Sequence, residues 1–179
     1  MGIFAKDSGA DYVPAPEGLQ QGVCCDVIDL GDVVSTFTGK MQHKVRIVWQ
    51  SEHQHPNPNY NRPHEVSNTY SLSLHEKATL RKHLEAWRGK KFTPEELKGF
   101  DLEKLIGVNC QLQVVHKLAS NGATYANIQA IVPIGKGMPP LKVSASYTRK
   151  KDRDGYEEPS ANGHVAEPPS DVNDENVPF

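Results

Sequence analysis

Apolar and polar residues alternate most clearly over residues 41–50. Val45, Ile47 and Trp49 face one way there, and Lys44, Arg46 and Gln50 the other. Residues 69–74 alternate again, with Tyr70, Leu72 and Leu74 on one side, and 22–30 is apolar and β-branched enough for a strand. Two further strands are predicted over 108–118 and 124–132, with Asn121-Gly122 as a tight hairpin turn between them. The pattern changes period in the middle of the chain. Leu80, Leu84 and Trp87 fall on one helical stripe, behind a Ser73/Glu76 capping box and ahead of a stop at Gly89. A second short helix is predicted to open at Thr93-Pro94-Glu95-Glu96 and close at Gly99, with one more turn over 101–105. The order is β-β-β-α-β-β. It predicts a mainly β fold, a five-stranded OB-type Greek-key barrel with a helical insert between strands three and four. An open α+β sheet shares the same order.

The periodic region does not reach either end. Residues 1–18, with Pro14 and Pro16, read as an N-terminal arm. From about Lys150 the chain is rich in Pro, Ser, Asn, Gly and acid and nearly free of aliphatic residues, so it cannot bury enough apolar surface to offset chain entropy. The expected organisation is a folded domain over 19–148, a disordered linker over 149–170 and an acidic tip over 171–179.

Charge sharpens that division. The whole chain of 179 residues carries 20 Lys and Arg against 22 Asp and Glu, a net of −2, which by itself argues against a nucleic-acid binder. Residues 152–179, however, hold eight acids and one base, a net of −7, and leave 19 bases and 14 acids, a net of +5, on the rest. The near-neutral total is a basic body joined to an acidic tail. Three cysteines, Cys24, Cys25 and Cys110, form no disulfide framework and suit a reducing compartment. No apolar run approaches the roughly 18 residues of a membrane span, and the first residues lack the apolar region of a secretory signal. Met1-Gly2 is followed by Lys at position 6, outside the myristoylation pattern. The expectation is a cytoplasmic protein with no membrane partner.

The last nine residues place acids and amides around Val177, then Pro178 and Phe179. The chemistry suits a peptide anchor, in which the Phe179 ring fills an apolar pocket and its carboxylate meets a base at the lip. Pro178 limits the entropy lost, and Asp171, Asp174 and Glu175 steer the tip to basic partners. An acidic segment ending in aliphatic-Pro-Phe resembles the tip of bacterial and phage single-stranded DNA-binding proteins. The stretch RGKKFTPEELKGFDLEKLIGVNCQLQVVH, followed by YANIQAIVP, is similar to OB-fold proteins encoded by phages and prophages. The resemblance implies a protein that coats single-stranded DNA during replication, recombination and repair and recruits partner proteins through its tip. The chain departs from cellular members in its shorter linker, its insert at 75–105 and its first strand. Their tetramer is therefore not carried over, and self-association stays open.

Sequence-tolerant binding of a single strand needs aromatic faces for bases and cations for phosphates. Tyr60 and Arg62 lie in the polar loop between strands two and three, where a Tyr has no core to join. Lys44, Arg46 and Trp49 belong to strand two and Tyr70 to strand three, the face that OB folds use. By parity Trp49 and Tyr70 read equally as core. Phe37 and Lys40 in the first loop, and Lys117 and Tyr125 beside the last hairpin, complete the candidates. Trp87 is assigned to the core.

Other groupings point elsewhere. His53, His55 and His64 share one loop with His43 nearby, yet apart from Glu52 and Glu65 beside them no Cys or carboxylate stands at a recognised metal spacing. Asp26, Asp29 and Asp32 are close in sequence, but Asp26 and Asp29 are expected on opposite faces. No phosphate-loop, GxSxG or HExxH motif occurs. No metal, cofactor or catalytic residue is therefore assigned. Two alternatives remain, a metal-dependent nuclease built on the His loop and an OB-fold module that binds protein or RNA.

Overall fold

The computed structural model describes residues 13–159. Five antiparallel strands form one sheet, β1 (Gly18–Val34), β2 (Met41–Gln54), β3 (Pro63–Ser71), β4 (Asn109–Leu118) and β5 (Thr124–Pro133), in the order β3-β2-β1-β4-β5. One α-helix, α1 (Thr79–Arg88), follows β3. The long central β1 joins the two halves. Its first residues pair with β4, and from Gly22 onward it pairs with β2. The edge strands β3 and β5 approach one another without hydrogen bonding, and α1 packs against both. The protein is thus mainly β, an open antiparallel sheet curled towards a barrel.

β1 is longer than its apolar pattern predicts because two bulges break its alternation. Cys24 pairs with Trp49 and Asp26 with Val48, so Cys25 is an extra residue; Leu30 is a second, between Asp29 and Gly31. β3 runs earlier than the predicted 69–74. Its buried positions are His64, Val66, Asn68 and Tyr70, and two polar side chains among four conceal the period. Leu72 lies beyond the strand and is exposed.

The helix also starts later than predicted. Ser73 does not cap it; its hydroxyl accepts the His75 N–H, and α1 begins after an extended Ala78. Gly89 ends it as expected, at φ 68°, with Lys90 N–H bonded to the Glu85 carbonyl. In the second segment Thr93 and Glu96 do form a reciprocal box, Thr93 N–H to Glu96 Oε2 at 2.9 Å and Glu96 N–H to Thr93 Oγ1 at 3.3 Å. That segment is only a 3-10 turn, Glu96–Lys98, and a second turn spans Leu102–Leu105. The last hairpin is wider than a two-residue turn. Gly122, at φ 81°, follows Ser120-Asn121, and Ala119 N–H bonds the Ala123 carbonyl across it. Asn121 does not adopt the left-handed φ that a two-residue Asn-Gly turn would require there.

The core lies between the curled sheet and the insert. Leu80, Leu84 and Trp87 of α1 meet Val45, Ile47, Trp49, Val66, Tyr70, Leu112, Val114, Ile128 and Ile131. Trp49 and Tyr70, candidates for base stacking, are only 0% and 2% exposed. This corrects that expectation, since both share inward parity with neighbours the core requires. The Trp49 and Trp87 rings pack 5.7 Å apart, and the Tyr70 hydroxyl pairs with His83 Nδ1 at 2.9 Å. The insert belongs to the same core through Phe92 and Leu105. Arg88 lies over the Phe92 ring at 4.5 Å and bonds Glu96 at 2.6 Å, and this guanidinium holds the Glu96 carboxyl down at about 2.

The packed chain also continues past the expected boundary at 148. Residues after β5 turn back across the sheet, and a 3-10 turn spans Lys150–Asp152. The N-terminal arm is similarly tied down at its end, where Ala15 is buried and its carbonyl meets His116 Nε2 at 2.7 Å. The tip residues Asp171, Asp174, Glu175, Val177, Pro178 and Phe179 lie outside the described residues.

Candidate nucleic-acid interface

Strand alternation gives β2 two faces. Val45, Ile47 and Trp49 enter the core; Lys44, Arg46, Val48 and Gln50 lie on the outer face, opposite Ser71, Thr69, Ser67 and Glu65 of β3. Arg46 is fixed there by its Nε donating to Thr69 Oγ1 at 3.1 Å. On the β1 side Ile28 stands beside Arg46, and the Cys25 bulge brings Asp26 beside Val48.

Polar residues on an outer sheet face normally meet water. Here Gln21, Asp26 and Gln50 are buried, Asp26 at 1% exposure. The cause is the chain after β5, which crosses this face as a strap. Gln21 Nε2 donates to the Pro139 carbonyl at 2.9 Å, and Asn109 exchanges two bonds with the backbone of Leu141. Ser144 N–H reaches Gln50 Oε1 at 2.8 Å. Asp26 then accepts from the Tyr147 hydroxyl at 3.0 Å, Arg149 Nε at 3.1 Å and Lys150 N–H at 2.7 Å. Gln21, Gln50 and Asp26 thereby each find a hydrogen-bond partner in the strap. Arg149 is further gripped by Glu103 at 2.6 and 2.8 Å, which raises its proton affinity and lowers that of Glu103.

Between strap and β2–β3 loop lies an open cleft of about 510 Å³. The sheet supplies Ile28, Arg46, Val48 and Ser67; the loop and the start of β3 supply His55, Tyr60, Arg62, His64 and Glu65; the strap supplies Tyr147, Lys150 and Arg153. The cleft therefore holds four Arg or Lys groups and one carboxylate. The loop is shaped by its own side chains. Asn57 Oδ1 accepts the Asn59 N–H at 2.9 Å and starts a 3-10 turn over Pro58–Tyr60. The His55 N–H then closes the loop on the Arg62 carbonyl. Arg62 lies over the Tyr60 ring at 5.2 Å, and His55 packs against both Tyr60 and His64. Burial pushes the proton affinity of His64 down, and His55 and His53 push it the same way.

Of the sequence-derived candidates, Arg46, Tyr60 and Arg62 come together in this cleft. Phe37 and Lys40 are exposed on the β1–β2 connection, and Lys117 faces Tyr125 across the β4–β5 pair; none of these four lines the cleft, and neither does Lys44. Lys150 and Arg153 escape the sequence reading because composition assigns 149 onward to a linker, and Tyr147 falls within the expected domain without a signal that singles it out. One signal was present, the cation run Arg149-Lys150-Lys151 two residues after Tyr147, which belongs with the basic body.

The remaining groupings have other roles. His43 bridges Asp29 at 2.7 Å and Asp32 at 3.1 Å, while Asp26 anchors the strap. Among the described residues no three His, Cys, Asp or Glu side chains converge as a metal-holding group. All three cysteines are buried, and burial pushes the Cys25 thiol up to about 12. Among the described residues no helix is long and apolar enough to cross a membrane.

No protein-family model matches the chain, and no curated protein matches it either.

Proposed function

We propose that the body is an OB-type barrel that binds single-stranded DNA without strong sequence preference and protects it during replication, recombination and repair. The observation that carries the reading is the Tyr60–Arg62 pair set beside Arg46 at the edge of the β2–β3 outer face. It offers a partly exposed ring for a base with guanidinium groups for the flanking phosphates, which is the chemistry sequence-tolerant binding requires. The β3-β2-β1-β4-β5 order, with edge strands drawn together and a helix against both, supports the OB reading, in which this face and its loops bind oligonucleotides. The resemblance of the sequence to phage and bacterial single-stranded DNA-binding proteins favours DNA over RNA. It also assigns recruitment of replication, recombination or repair proteins to residues 171–179.

Fluorescence anisotropy of labelled oligo-dT tests the reading. Binding at low salt should weaken as salt rises, with a logarithmic slope of about −0.7 per phosphate contacted. No binding at low salt overturns it, and tighter binding of oligo-U than of oligo-dT replaces it with an RNA-binding module.

A further inference from the structure

Tyr60 and Arg62 form one side of the cleft, and the strap presents the same combination on the other. Arg153 lies over the Tyr147 ring at 5.7 Å, as Arg62 lies over Tyr60 at 5.2 Å. We propose that the strap is the second half of the binding site, with Tyr147, Lys150 and Arg153 closing on a single strand that Tyr60, Arg62 and Arg46 hold from the sheet side. This deepens the single-stranded DNA reading above and rests on it.

The strap divides its cations between two tasks. Arg149 is committed to the fold, through Asp26 and a bidentate pair with Glu103, and Lys151 also reaches Glu103 at 3.6 Å. Lys150 and Arg153 make no ion pair among the described residues, and both line the cleft. The anchored residue sets the position of the two that are left for a ligand. Asp26 bonds the Lys150 backbone N–H, so the side chain of Lys150 is carried on a fixed point of the sheet rather than on a loose tail. Tyr147 is tethered by its hydroxyl to the same carboxylate, which leaves its ring, not its polar end, as the surface offered. Lys150 and Arg153 also border a second hollow that holds Asp29, Asp154 and Glu157. The two cations thus stand where the basic cleft meets the acidic segment, and Glu65 is the one carboxylate on the cleft side.

A wall of this kind changes what binding looks like. Phosphates are contacted from two elements far apart in sequence, so affinity and salt dependence fall together when either is neutralised. The test uses the full chain and labelled oligo-dT, comparing the native protein with Lys150→Ala/Arg153→Ala, Tyr147→Phe and Tyr60→Ala. The expected result for the double variant is weaker binding, with the salt slope reduced in magnitude by about 1.4, or about 0.7 for each lost phosphate contact. Both residues are exposed, so the melting temperature should stay unchanged. Tyr147→Phe keeps the ring and should keep most of the affinity. If the native chain binds and the double variant retains both affinity and slope, the strap is no part of the site and the single-stranded DNA reading survives. If the double variant weakens binding and Tyr60→Ala does not, the strap stands and the Tyr60–Arg62 pair loses its role. If the native chain does not bind oligo-dT at low salt, both fall.

Discussion

The two faces of β2 are built from adjacent residues and solve opposite problems. Val45, Ile47 and Trp49 are buried because they are apolar, and any well-shaped apolar neighbour serves them. Gln50 on the other face, with Asp26 from β1, is buried although polar, and only a partner with matching donors serves it. The inner face is covered by an amphipathic helix, the outer by a strap whose main chain and charged side chains supply hydrogen bonds. The inner face therefore stores stability, whereas the outer face fixes the position of one particular segment, the one that borders the cleft.

The two faces differ most at Trp49. Truncation to Ala empties space beside Trp87 and should cost about 4 kcal/mol, in the range for aromatic core deletions, read as a lowered denaturant midpoint. On the outer face Asp26→Ala should cost less, about 2 kcal/mol, because it strands the Tyr147 hydroxyl and the Lys150 N–H while Arg149 keeps Glu103. The character of the loss should differ as well. Trp49→Ala lowers protection throughout the sheet, whereas Asp26→Ala raises hydrogen exchange at 144–150 and leaves β4–β5 protected. Equal loosening of both regions by Asp26→Ala would mean that the strap and barrel unfold as one unit.

These faces were unequally legible in the sequence. The strict alternation of Val45, Ile47 and Trp49, the stripe Leu80, Leu84 and Trp87, and the stop at Gly89 all follow from local periodicity, and the structure uses each of them. Where period failed, the cause was an added residue or a polar one facing inward. Cys25 and Leu30 shift the phase of β1, and the polar His64 and Asn68 occupy buried positions in β3. The strap was hidden for a different reason. It is held by polar bonds to Gln21, Gln50, Asn109 and Asp26, and a segment bound in that way carries no apolar period to read. For the cleft, the sequence pointed to Tyr60, Arg62 and Arg46 but not to Tyr147, Lys150 and Arg153, because the partners lie about 90 residues apart in the chain.

Tyr60 stands apart from both the core and the strap anchors. It is 38% exposed and outside the core, so Tyr60→Ala should leave the melting temperature within error. Loss of one stacked base should weaken oligo-dT binding by about 1 kcal/mol or more, roughly five- to tenfold. A smaller effect is expected from acid. His64 and His83 both have proton affinities lowered chiefly by burial, so the unfolded chain takes up protons first as pH drops below about 6.5. Stability should be flat above that value and decline below it, through the lowered folded values. A His83→Gln variant should decline less, and an unchanged decline would place the sensitivity elsewhere.

The smallest expected effect is the sharpest test of the face assigned to DNA in the proposed reading. Both tryptophans are interior, Trp49 at 0% and Trp87 at 4% exposure, and Trp87 Nε1 donates to the Asn109 carbonyl at 2.9 Å. A base on the outer face of β2 is separated from Trp49 by the strand itself, so no stacking can reach either indole. Saturating oligo-dT should therefore raise the anisotropy of the label while the intrinsic tryptophan emission keeps its wavelength and intensity. A strong quench on binding would show that the strand enters between sheet and helix. The inner aromatic residues would then be ligand contacts, and the division between a storing face and a binding face would fail.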